Sequence, residues 1–314
     1  MGSGYINCNI SKKTYSAFKS IVDDSLTEVT ADMLNGVTSI SSYAFYQCAN
    51  LISVDIPNSV ASIGDHAFAS CGALASVTIP NGVTSIQGYV FFNCTSLTSI
   101  TIPSSVTSIG NNAFYQCANL TSVDIPNSVT NIGQYAFASC GALTNVNIPN
   151  GLTRINEASF YYCRALTSIT IPSTVTSIGK YAFGGCQALT SVNIPSGVTT
   201  IGETAFTHCA SLTSITIPSS VTSIGRQAFS GCDSLASVTI KDGATGIKDY
   251  AFYWCEALQS VTVEAIIPPV IGTGVFNRNH PNSVIYVPSG SVETYKAATN
   301  WSTYASRIQA IPST

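Results

Sequence analysis

Hydrophobic and polar positions along this chain recur with a fixed beat. Cys48, Cys71, Cys94, Cys117, Cys140, Cys163, Cys186, Cys209, Cys232 and Cys255 stand 23 residues apart. Taking each cysteine as position 0, phenylalanine occupies −3 (Phe45 through Phe252) and leucine +3 (Leu51 through Leu258). Valine or isoleucine follows at +6 and +8. Proline stands at +9 in eight of the ten repeats, the exceptions being Lys241 and Glu264. Each phrase of the type LTSITIP reads as a short strand with +6 and +8 inward and +5 and +7 outward. Proline, which cannot donate to a ladder, closes it. The later VTSIG adds two inward residues, and Gly or Asn eases a turn. The segment NNAFYQC reads as one helical turn with Ala, Phe and Cys on its inner side, because i, i+3 and i+4 share a face.

A single repeat of this length cannot bury its apolar side chains alone, whereas stacked repeats make a continuous core. The expected fold is therefore an α/β repeat solenoid, a curved leucine-rich-repeat array of 23-residue coils. It would have one parallel β-sheet, short helical turns on the other side, and caps at both ends. Residues 44–60 return almost unchanged at 113–129, and AFASCGAL at 67–74 returns at 136–143. Both offsets are 69, three times the period, so a block of three coils has been duplicated. Arrays tolerate this because whole coils create no new type of interface.

The ends break the rule. Met1-Gly2-Ser3-Gly4, residues 1–4, reads as a cloning remnant, which would leave a native signal peptide outside this chain. Residues 5–25 are expected to form an N-terminal helical cap, with Ser11 as N-cap and Phe18, Ile21 and Val22 as an apolar stripe. LTEVTA at 26–31 resembles a degenerate first strand, so the repeats are assigned to 26–264. In residues 265–314, Asn279 takes the cysteine slot of an eleventh, degenerate coil. A helix containing Tyr295, Trp301 or Tyr304 is expected to seal that end.

The pattern A-F-x-x-C-x-x-L-x-x-[VI]-x-I-P-x-x-V-x-x-I-G resembles the BspA-like (Treponema pallidum type) leucine-rich repeats, over roughly residues 26–288. The tail IYVPSGSVETYKAATNWSTYASRI is similar to the C-terminal cap of such proteins from gut bacteria. The resemblance implies secreted or cell-surface proteins, several associated with adhesion, and no catalytic residues.

Composition narrows the chemistry. Charged residues are 9% of the chain and the net charge is −3, with the twelve Lys and Arg scattered. That excludes a basic nucleic-acid footprint. Mean hydropathy is +0.30, yet Ser, Thr, Asn and Pro interrupt every apolar run short of the ~18 residues a membrane-spanning helix needs. No membrane insertion is expected. Eleven cysteines lack any C-x-x-C pair, and stacked side chains point in parallel, so the lattice thiols are expected reduced and buried, Cys8 alone differing. His66, His208 and His280 sit at unrelated offsets, and no cofactor fingerprint or metal site is read. The outward ranks Ser99, Ser168 and Ser214 at +5, with Thr101, Asp124, Asn147, Thr170 and Thr216 at +7, read as a solvated strand face.

Variation is concentrated at two other offsets. Position −5 carries Tyr43, His66, Tyr89, Asn112, Tyr135, Ala158, Tyr181, Thr204, Gln227 and Tyr250. Position −2 carries Tyr46, Phe92, Tyr115, Tyr161 and Tyr253 among smaller residues. Aromatic side chains that the core does not require are candidate recognition residues. Tyr43, Tyr46, Tyr89, Phe92, Tyr115, Tyr135, Tyr161, Tyr181, Tyr250 and Tyr253 form the candidate ligand-binding set. The bland alternative is that they pack on one another along a solvated ridge. The functional expectation is a non-enzymatic adhesion module recognising a host or bacterial surface protein or a glycan, extracellular or at the cell surface, and monomeric. The alternative is a structural spacer or scaffold presenting another domain.

Overall fold

A computed structural model describes residues 26–313. The expected N-terminal cap at 5–25 and Cys8 lie outside the described residues. The chain is a parallel β-solenoid whose coils repeat every 23 residues or so. It divides into two compact units, one of residues up to 152 together with 162–164, the other of 153–161 together with 165–314.

Each coil contributes to two parallel ladders. In the first unit, Glu28–Val29, Ser53–Asp55, Ser76–Thr78, Ser99–Thr101, Ser122–Asp124 and Asn145–Val146 form one six-stranded sheet in chain order. In the second unit, Ser214–Ile217, Ser237–Ile240, Ser260–Val263 and Val284–Val287 pair in the same way, with Ile308–Ala310 added last. The expected strands at +5 to +7 are thus present, with +6 buried and its neighbours turned outward. Register advances by 23, as in Ser53↔Ser76 and Ser214↔Ser237.

The second ladder, made from the Ser–Ile of VTSIG, was not anticipated as a sheet. Arg154–Ile155, Ser177–Ile178, Thr200–Ile201, Ser223–Ile224, Gly246–Ile247 and Val270–Ile271 run as one parallel sheet in the second unit. Two residues per coil are too few for alternation to announce a strand. Only stacking supplies the pairing. Close approach here is backbone on backbone: a Cβ at Gly202 would lie 2.6 Å from the Gly179 carbonyl carbon.

The NNAFYQC-type segment differs from the expected helical turn. In the first coils the N–H groups at −4, −2 and 0 close i→i−3 turns, as in Ala44 to Ser41, Tyr46 to Tyr43 and Cys48 to Phe45. Those at −5, −3 and −1 donate instead to the next coil, as in Tyr43 to Asp65, Phe45 to Ala67 and Gln47 to Ala69 at 2.7–3.0 Å. In an α-helix the amides point along the axis toward the helix's own carbonyls, so none would alternate outward to a neighbouring coil. The turns are made possible by left-handed backbone at −5 and −1 in all eleven coils, from Tyr43 and Gln47 to Gly274 and Arg278. Most of these positions carry side chains that pay for that conformation.

Inside, the phenylalanines stack. Phe45, Phe68, Phe91, Phe114 and Phe137 lie 5.1–5.6 Å apart with planes within 15°. Phe160 through Phe276 repeat the column in the second unit. There the end is sealed by a short helix, Val292–Ala297, and a 3₁₀ segment, Trp301–Arg307. Tyr295, Trp301 and Tyr304 are all buried, and the last two rings close over Phe276 at 6.0 and 5.6 Å. Asn279 does occupy the cysteine slot, accepting the Cys255 amide through Oδ1 at 3.2 Å.

Candidate functional site

The lattice cysteines are core, and their geometry says why the slot holds this residue. All ten are free and buried. From Cys71 onward, each thiol donates to the carbonyl of the phenylalanine 26 residues earlier, at 3.0–3.3 Å. Burial pushes Cys94 and Cys255 up to about 12 and raises Cys117, Cys140, Cys209 and Cys232 as well. For Cys71 the larger cause of the rise is a hydrogen bond with the Cys48 thiol, followed by burial. Protonated thiols of this kind are poor nucleophiles and poor metal ligands. No group of three His, Cys, Asp or Glu suited to a metal ion occurs among the described residues.

The candidate aromatics stand on the left-handed turns and point away from the phenylalanine column. In the first unit they are continuous. Tyr43 meets Tyr46 edge-on at 5.5 Å. Tyr89 meets Phe92 at 5.8 Å, Phe92 meets Tyr115 at 5.6 Å, and Tyr115 meets Tyr135 at 6.3 Å. The link across the first gap is a residue the sequence reading left out of the set, His66. Its ring lies flat between Tyr43 (4.6 Å, 14°) and Tyr89 (4.5 Å, 8°). Burial lowers its pKa, outweighing the opposing pull of Asp65, and its Nδ1 is buried without a hydrogen-bond partner among the described residues. His66 therefore behaves as a neutral aromatic spacer. Its signal was present in the sequence, since it occupies the −5 column in register with the tyrosines.

The second unit holds two separate groups. Tyr161 packs on Tyr181 at 5.3 Å, with the Lys180 ammonium 5.2 Å from the Tyr181 ring centre. Further along, Tyr250 meets Tyr253 edge-on at 5.3 Å. Between them the same two columns carry Thr204 and Gln227 at −5, and Gly184, Thr207 and Ser230 at −2. The second group is larger than expected. Trp254 is exposed and sits 6.3 Å from Tyr253, and the Arg278 guanidinium lies 5.9 and 5.7 Å from their two ring centres. Trp254 and Arg278 are at −1, an offset held elsewhere mostly by Gln, Ser, Asn and Gly, so their departure from the column was the missed clue.

Of the ten candidates, Tyr43 and Tyr46 are exposed and the others half-buried. Rings stacked face to face at Tyr43, His66 and Tyr89 offer a ligand their edges and hydroxyls rather than open faces. Tyr46, Phe92 and Tyr115 are tilted relative to their neighbours and roughen the strip. The arrangement suits contact with a partner surface.

Comparison with known proteins adds the deciding observation. The family model for the BspA type leucine-rich repeat region, in six copies, matches residues 38–167 and 153–283. The chain belongs to the BspA-type leucine-rich repeat family. No curated protein sequence matches it. Among solved structures, the BspA-type coils resemble a leucine-rich repeat protein from Bacteroides ovatus at 24% identity, covering 88% of both chains with a TM-score of 0.65. A Eubacterium ventriosum leucine-rich repeat protein matches at 26% identity over 88% of this chain and 87% of its own, TM-score 0.53. The Treponema pallidum leucine-rich repeat protein matches at 35% identity, covering 52% of this chain and 78% of its own, TM-score 0.50. The BspA-type relationship makes a repeat module for interaction plausible, and such repeats are generally non-catalytic.

Proposed function

We propose that this BspA-type array is a non-enzymatic binding module of a secreted or cell-surface bacterial protein, engaging a protein or glycan through its aromatic strip. The observation carrying this reading is the contrast between columns. Core positions hardly change from coil to coil, whereas −5 and −2 change freely and hold a ring-to-ring strip from Tyr43 to Tyr135. Rigid amphipathic rings lose little conformational freedom on binding, which suits them as anchors. A second reading, a rigid spacer, is favoured by the flat stack of Tyr43, His66 and Tyr89, whose rings already satisfy one another.

The test compares two sets of substitutions on an array of glycans and extracellular-matrix proteins. Tyr43→Asn, Tyr89→Asn and Tyr135→Asn keep a residue that tolerates left-handed backbone, as Asn112 already does in its coil. The control set, Ser99→Ala, Thr101→Ala, Ser168→Ala and Thr170→Ala, alters the first ladder's outward face. Loss of binding in the tyrosine set alone supports the strip. Loss only in the control set moves the site to the strand face, and unchanged binding in both favours the spacer.

A further inference from the structure

The repeat departs from its own rule most sharply in the ninth and tenth coils. Proline at +9 is replaced by Lys241 and Glu264, whose side chains pair at 2.6 Å. With proline gone, their amides extend the first ladder, Lys241 donating to Ile217 and Glu264 to Ile240 at 3.0 and 2.9 Å. Next comes Asp242-Gly243, where any side chain at Gly243 would collide with the Ser219 carbonyl. The tenth coil is also longer by one residue. First-ladder partners there are still 23 apart (Ser237↔Ser260), while second-ladder partners are 24 apart (Gly246↔Val270). The inserted residue therefore lies between Val263 and Val270, in the loop Glu264-Ala-Ile-Ile-Pro-Pro-Val270.

That loop does what no other coil does. Ile266, Ile267 and Val270 are 68%, 82% and 77% exposed, the most exposed large aliphatic side chains among the described residues. Exposed aliphatics on a mobile loop would fold back to shed water, but this backbone is pinned. Tyr295 Oη donates to the Ala265 carbonyl at 2.7 Å, and Ser291 Oγ to that of Ile266 at 2.8 Å. Trp301 Nε1 donates to the Pro269 carbonyl at 2.8 Å, and Asn300 Nδ2 to that of Ile271 at 2.7 Å. Pro268 and Pro269 stiffen the remainder. Cap side chains thus hold three carbonyls of the loop and that of Ile271 just after it, and the loop's apolar groups face outward beside a groove of about 560 Å³. Asp242 is the one charged residue lining that groove, and no cation pairs with it among the described residues.

We propose that this groove docks an extended peptide segment bearing an aliphatic side chain next to a lysine or arginine. The aliphatic group lies against Ile266, Ile267 and Val270, and the cation meets the Asp242 carboxylate. Holding the loop in its binding shape beforehand lowers the ordering cost of association. A patch of exposed aliphatics rimmed by polar groups marks a contact surface. An anionic rim without lysine or arginine is the opposite of what an acidic membrane surface selects. None of the lining residues belongs to the aromatic strip, so this site stands apart from the function proposed above.

The experiment uses the whole chain with isotope-labelled isoleucine methyls and two blocked pentapeptides, GLKLG and GLELG. GLKLG is expected to shift the δ1 methyls of Ile266 and Ile267 and to bind at least tenfold tighter than GLELG. Asp242→Asn should remove that preference. Ile267→Ser, at a largely solvated position, should abolish the shifts and leave the circular dichroism and melting temperature unchanged. Equal response to the two peptides, shifts confined to other methyls, or no shift at millimolar peptide would overturn the proposal. So would Ile267-dependent binding to phosphatidylcholine vesicles without a peptide response, which would make the loop a membrane contact.

Discussion

The buried thiols make the fold sensitive to alkali, and the size of the effect follows from their surroundings. A thiol is neutral when protonated, so one raised above its ordinary value holds its proton more tightly in the folded chain than in the unfolded one. Its contribution is complete below the unfolded value of about 8.5 and is lost as pH climbs toward the folded value. Seven lattice thiols are raised: Cys71, Cys94, Cys117, Cys140, Cys209, Cys232 and Cys255. Two of them reach about 12. At a pH of about 9.5 each unfolded thiol is about nine-tenths ionised, which favours the unfolded chain by a little over ~1 kcal/mol per thiol. Together they remove about 10 kcal/mol, comparable with the whole stability of an ordinary domain. Urea unfolding followed by circular dichroism, with a reductant present, should show a steep fall in midpoint between neutral pH and about 9.5. Cys117→Ala with Cys140→Ala should flatten that fall by about 3 kcal/mol. At neutral pH the pair should cost only about 1 kcal/mol per site. The carbonyls they abandon, Phe91 and Phe114, still accept the amides of Cys94 and Cys117. A midpoint constant across this range would refute the reasoning, because thiols that ionise in place are neither desolvated nor tightly bonded.

Deleting residues 95–117, one whole coil, should leave a folded chain with near-native circular dichroism, whereas deleting about half a coil should abolish cooperative unfolding. Gly202→Ala should destabilise by about 2 kcal/mol or more in urea titration, since its Cβ meets backbone that cannot swing aside. Gln116→Gly, at a left-handed position, should be neutral or stabilising, while Ala113→Gly three residues earlier should cost about 1 kcal/mol in the same assay.

The solenoid was legible in the sequence because its core has a private alphabet. Phe, Cys, Leu, Val and Ile recur at offsets that only stacking explains, and Tyr295, Trp301 and Tyr304 were readable as a lid because nothing else could cover Phe276. The turns were misjudged for a physical reason. Spacing of −5, −2 and −3, 0 is compatible with a helix, and nothing in the letters says that half the amides are owed to the next coil. A few glycines and asparagines, at 185, 231 and 274 and at 93 and 112, are all that hints at the left-handed backbone that makes the difference. The candidate aromatics were read from two variable columns, and His66, Trp254 and Arg278, which the structure brings against them, were passed over. The first was judged as a titratable group rather than a ring, and the others sit at −1, an offset given no reading of its own.

Near-identical coils carry a hidden ambiguity that the tenth coil resolves. A stack whose every layer offers the same phenylalanine, thiol and ladder cannot tell one layer from the next, so a chain sliding by one period would find equally good neighbours. The cap admits no such substitution. Its Tyr295, Ser291, Trp301 and Asn300 take the carbonyls of Ala265, Ile266, Pro269 and Ile271, and a 23-residue coil is one residue short of that spacing. The odd layer thus works as a reference mark from which all the others are counted.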